Sequence, residues 1–153
     1  MSITQVSKEL LKQQGVSLIE VLVALLVLSI GLVGLAGLQS VGLKSNSSAE
    51  VRTQATILAY DMIDSMRANR DTAINTSCYL LSMGGTVPSS CNSLATNDLT
   101  AWKANLAASL PSGNGSVSND DTGTRRVITV TVQWDDTRAG GTATQQLSID
   151  TEL

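Results

Sequence analysis

Histidine is absent from this chain. That removes the commonest general base and the commonest metal ligand together. Cys78 and Cys91 are the only cysteines, too few by themselves for an ordinary four-ligand zinc site. Phenylalanine is also missing, aromatics make up 3% and charged residues 15%, against about 25% charged in a typical soluble domain. The net charge is −3 and the isoelectric point about 4.7. Nucleic-acid binding draws on a basic footprint and stacking aromatics, and neither is present.

Apolar residues reach 42% of the 153 positions but are unevenly spread, and Val16 to Leu43 is almost wholly apolar. A chain of this length predicts a single folded head. Residues 1 to 15 are polar and carry Lys8 and Lys12 against Glu9. No charge falls between Glu20 and Lys44, and those 23 positions would span roughly 35 Å as a helix, enough for a bilayer core of about 30 Å. The basic segment would stay in the cytoplasm and the C-terminal head would be exported. An ordinary cleaved signal fits poorly, because its apolar region runs about 7–15 residues and ends in a small-residue cleavage site. A lipoprotein signal needs a cysteine just after the apolar run, and none precedes Cys78. Hydropathy alone leaves a plain signal anchor open.

Two residues separate these readings. Gly15 closes the polar segment, and Glu20 lies five positions further on, inside the apolar run. A carboxylate at mid-membrane costs on the order of 2.5–3.5 kcal/mol. Near a helix N-terminus the cost falls, because the unpaired N–H groups there favour negative charge. Cleavage after Gly15 would create an α-amino group on Val16, about one helical turn from Glu20. The bland alternative leaves Glu20 as an interfacial acid.

The string Gly15, Val16, Ser17, Leu18, Ile19, Glu20 resembles the start of the type IV prepilins and their pseudopilin relatives. The resemblance implies that prepilin peptidase cuts between Gly15 and Val16 and methylates the new amine of Val16. It implies too that Glu20 guides docking by pairing with the terminal amine of an adjacent subunit. The first mature residue in this family is often Phe, and here it is Val16.

Helical spacing continues past Lys44. Val51, Ala55, Leu58, Met62 and Met66, widened by Ala59 and Ile63, form one stripe. Arg52, Gln54, Asp61, Asp64 and Arg67 lie mostly outside it, and Asp64 can pair with Arg67. No proline interrupts residues 16 to 69, which predicts one helix of about 54 residues, roughly 80 Å long. Gly31, Gly34 and Gly37 recur every third position, either as a strip for close helix packing or as glycine tolerated in a membrane span.

Residues 70 to 96 read mainly as loop. An even cysteine count in an exported head points to a Cys78–Cys91 bridge. Its loop of about 14 residues contributes near 3 kcal/mol in the chain-entropy model; two unpaired thiols are the alternative. A second, short helix is expected with Asn97 as cap, Asp98 in its first turn, and Leu99, Trp102, Leu106 and Leu110 on one face, ending at Pro111 and Gly113. Trp102 reads as a packing residue. Ile128, Val130, Val132 and Trp134 alternate with polar neighbours as a half-buried strand. Leu147, Ile149 and Leu153 mark a returning strand after the turn DDTRAGGT, and an earlier strand near Val117 precedes a turn from Asp120 to Gly123. The plan is α+β, a long helix packed by its second half on a small antiparallel sheet.

Later strings, AYDMIDSMRANR, DLTAWKANLAASLP and ITVTVQWDD, resemble the PilV subfamily of minor pilins. The resemblance implies a leader over 1–15, a membrane and filament-core segment over 16–43, and an exported head over 44–153. It implies an inner-membrane subunit that later joins a pilus and helps prime assembly. Its partners would be other minor pilins, the major pilin, prepilin peptidase, the inner-membrane assembly platform and a tip adhesin. No cofactor, catalytic residue or nucleic-acid contact is expected. A minor pseudopilin of a type II secretion system shares the leader and is the nearest rival. A membrane-anchored enzyme lacks an evident nucleophile–base pair. A calcium-dependent adhesin could use Asp120 with Asp121 or Asp135 with Asp136, although neither run follows a calcium-loop pattern.

Overall fold

The computed structural model describes residues 15–121 and 126–153; positions 1–14 of the expected leader and the tip of the Asp120–Gly123 turn lie outside them. The described chain divides into two units, one ending at Ser40 and the other Val41–Leu153. Helix α1 runs Leu18–Ala68, 51 residues, with Glu20 in its first turn and Arg67 in its last. It is long and apolar enough to cross a membrane, and its most apolar window buries nothing against the described chain. Leu18, Leu22, Leu26, Val33 and Leu38 are all more than half exposed. A helix apolar on every side finds its surroundings outside its own chain.

In the second unit the stripe does what its period predicts. Ala55, Leu58, Ala59, Met62, Ile63 and Met66 are buried, and Val51 packs at the margin of the same core. Asp64 and Arg67 pair at 3.0 Å on the exposed face, a contact worth about 0.3–0.5 kcal/mol. Three antiparallel strands follow in the order β1, β2, β3, spanning Asn114–Asp121, Arg126–Trp134 and Gln145–Glu152. Val117 pairs with Val130, and Val130 with Ile149. Alternation on β2 sends Ile128, Val130, Val132 and Trp134 into the core. Arg67 donates to the Thr151 hydroxyl, which ties the end of α1 to β3, and Arg70, two residues past α1, donates to the Leu153 carbonyl just beyond that strand.

The stretch 70 to 96 is mainly loop, as its composition predicts, although α2 occupies Arg70–Asn75 and α3 already begins at Ser93. One expectation is corrected. Asn92, not Asn97, caps α3, with its side-chain oxygen accepting the Ala95 N–H at 3.0 Å. The earlier cap wins because it places Ala95, fully buried, on the same face as Leu99, Trp102 and Leu106. Helix α3 ends at Ser109. Trp102 is fully buried and its indole N–H donates to the Leu58 carbonyl of α1 at 2.8 Å.

Just past α3, Ser112 holds a left-handed backbone, φ 52°. That conformation costs an L-residue about 1–2 kcal/mol and glycine almost nothing. Ser112→Gly is therefore expected to raise the stability of the head by about 0.5–1 kcal/mol, read as a higher denaturant midpoint at unchanged slope. An unchanged or lower midpoint would contradict the assignment of strain to this turn.

Candidate processing and docking site

The N-terminal site is built by the first turn of α1. The Ser17 carbonyl accepts the N–H groups of Glu20 at 3.0 Å and Val21 at 3.3 Å, so helical bonding starts two residues after Gly15. Glu20 is the third residue of a helix that begins at Leu18, where unpaired N–H groups favour a carboxylate. Ser17 joins the site as the residue from which the helix starts. The S-x-x-E spacing of Ser17 and Glu20, that of a capping box, is the signal that marks it. Val16 and Glu20 line one shallow hollow with Val21, Ala24, Leu25 and Leu28. Val16 is 69% exposed, and an added Cβ at Gly15 would meet nothing within 4 Å. Val16, just ahead of the helix, and Glu20 in its first turn thus stand beside one accessible hollow. Gly31, Gly34 and Gly37 are equally open, with nothing within 4 Å of a Cβ added at any of them, so no part of the described chain fills the small-residue strip.

The head carries a different constellation. A disulfide joins Cys78 to Cys91 with their Cα atoms 5.5 Å apart. Beside it, the Tyr79 hydroxyl donates to Asp98 Oδ2, and Asn69 Nδ2 donates to that hydroxyl at 3.1 Å. Asp98, expected in the first turn of its helix, lies beyond that turn because α3 begins at Ser93, and it accepts a hydrogen bond from this phenol. Burial, and then the hydrogen bond to Asp98, push the Tyr79 phenol up from 10.0 to about 12. A group raised on folding contributes stability that is whole below its unfolded value and is lost as pH rises through its folded one. A rise of that size is worth at most about 2.7 kcal/mol, and solvent screening at the partly buried hydroxyl lowers this to about 1–2 kcal/mol. Head stability is therefore expected to fall by that amount between about pH 10 and pH 12 through this group. Tyr79→Phe should remove that part of the slope in denaturation curves taken across the window; an unchanged slope would contradict it.

The turn acids are already engaged. Asp135 Oδ1 accepts from the N–H and the hydroxyl of Thr137 at 2.9 and 2.7 Å, and these bonds hold its carboxyl below the usual range. Asp136 Oδ2 accepts from Ser48 at 2.8 Å. Among the described residues no group of three or more His, Cys, Asp or Glu side chains stands together as a metal site. Asp120 and Asp121 contribute backbone pairing to β1, and their side chains lie outside the described residues.

No curated protein and no solved structure matches the chain. A family model does match at its N-terminus. Residues 10–36, which include Gly15, Val16 and Glu20, carry the prokaryotic N-terminal methylation motif, the signature typical of type IV pilins and pseudopilins.

Proposed function

We propose that this protein is a minor type IV pilin resembling PilV, a structural subunit that helps initiate pilus assembly within a small complex at the filament tip. The observation that carries the reading is the methylation motif over residues 10–36, whose part from Leu18 onward begins a helix that is apolar through its first half and amphipathic through its second. A helix of that design leaves its first half for a membrane or for other subunits and gives its second half to its own head. The reading assigns residues 1–15 to the leader, 16–43 to the membrane and filament-core segment, and 44–153 to the exported head. Prepilin peptidase cuts between Gly15 and Val16 and methylates Val16. Glu20 then neutralises the amine of a neighbouring subunit, an ion pair that low dielectric makes strong and that directs docking. Before assembly the head stands in the periplasm; afterwards it is part of the pilus, beside other minor pilins, the major pilin and a tip adhesin. The Cys78–Cys91 bridge suits an oxidising compartment.

A deletion strain tests the reading. Loss of surface pili and twitching, with exoprotein secretion intact and restored piliation on complementation, is the expected outcome. Normal pili with stalled secretion would overturn it and leave a minor pseudopilin.

A further inference from the structure

The two cysteines do more than close a loop, because each immediately precedes a member of one hydrogen-bonded chain. Cys78 precedes Tyr79, and Cys91 precedes Asn92. Starting in α3, Asp98 accepts from Tyr79, whose hydroxyl accepts from Asn69. The Asn69 side-chain oxygen accepts from the Thr72 hydroxyl at 2.9 Å, and Thr72 Oγ1 accepts from Asn92 Nδ2 at 3.1 Å. The Asn92 oxygen then accepts the Ala95 N–H, capping α3. The relay thus leaves α3 at Asp98 and returns to it at its cap.

Asn69 sits at the break between α1 and α2, and its carbonyl accepts the Ala73 N–H at 3.1 Å. The relay therefore ties together the end of α1, the short α2 and the start of α3. The two chain positions that must be brought near each other for it to close, 79 and 92, each directly follow a cysteine of the bridge. Without the bridge, bringing them together requires closing a 13-residue separation, and the chain entropy lost in doing so opposes closure. Each hydrogen bond gains little once its exchange with water is counted, so the balance at the junction turns on the crosslink. Both cysteines are only partly buried, whereas Trp102 and Leu106 further along α3 are fully buried.

We infer that the Cys78–Cys91 bridge is a redox latch on the α1–α2–α3 junction: oxidation closes the relay and caps α3, and reduction opens that corner while the core beneath stays packed. Opening consumes a dithiol reductant. Two electrons and two protons pass to the bridge, two thiols form, and the reductant becomes its own disulfide.

The test compares the full chain in detergent micelles before and after dithiothreitol, by amide hydrogen exchange and tryptophan fluorescence. Exchange at the Ala95 and Thr96 amides, which are bonded to Asn92, is expected to rise at least tenfold. The Leu110 amide, bonded to the Leu106 carbonyl at the far end of α3, should keep its protection, and tryptophan emission should not shift. Unchanged exchange at Ala95 would overturn the latch. So would loss of protection throughout α3 with red-shifted emission, which would make the bridge a staple of the whole head. Asn92→Ala supplies the second arm, since it breaks the relay with the bridge intact. Ala95 should then exchange fast in both redox states, and a further tenfold rise on reduction would overturn the latch by placing the effect of the bridge elsewhere.

Discussion

Trp102→Ala is expected to destabilise the head by about 3–5 kcal/mol, the range for a fully buried tryptophan truncated to alanine. Three terms act together at this residue. The ring is entirely buried, so its removal loses apolar burial and leaves a cavity. Its N–H donates to the Leu58 carbonyl across the α1–α3 interface, so a buried hydrogen bond goes as well. Trp134 is also buried, but its indole N–H has no partner among the described residues, and replacing it by phenylalanine lacks that last term. Against a typical stability of about 5–15 kcal/mol for a domain, the loss at Trp102 is large. Equilibrium denaturation should show it directly; a loss under about 1.5 kcal/mol, half the low end of that range, would mean that α3 is not held through this ring.

Gly115→Ala probes the same contact from the sheet. Gly115 stands opposite Val132 on β1, and a Cβ there would run into Trp102 Cη2 and come within 2.8 Å of Leu106 Cδ1. Glycine is thus required by close approach, and overfilling such a site costs about 1–3 kcal/mol. Because the clash is with the Trp102 ring, the two substitutions should not add. In a Trp102→Ala background, Gly115→Ala is expected to cost less than it does alone by about 1 kcal/mol or more. Strict additivity in the double-mutant cycle would contradict the contact.

The α+β plan was legible in the sequence because its signals are long or strictly periodic. The 23 uncharged positions after Glu20, and a stripe from Val51 to Met66, leave α1 few alternatives. The alternation from Ile128 to Trp134 likewise specifies which face of β2 is buried. The start of α3 was not legible in the same way. Asn92 and Asn97 are both competent caps at this level, and the choice between them depends on Ala95 finding a buried place, a tertiary fact. Helix α2 is too short for periodicity to register. The motif from Gly15 to Glu20 was legible because its signals lie within a few consecutive residues, and the methylation-motif match over residues 10–36 covers the same stretch. The Tyr79 relay was not, because its members at 69, 72, 79, 92 and 98 share no spacing and meet only when the head folds.

Cleavage after Gly15 can be read from the intact mass of the protein recovered from membranes with and without active prepilin peptidase. With the enzyme active, the chain should lack residues 1–15 and carry one methyl group on Val16; without it, the full-length chain should remain. A full-length, unmethylated chain in the presence of active peptidase would contradict pilin-type processing and leave a membrane-anchored protein whose exported head serves another purpose.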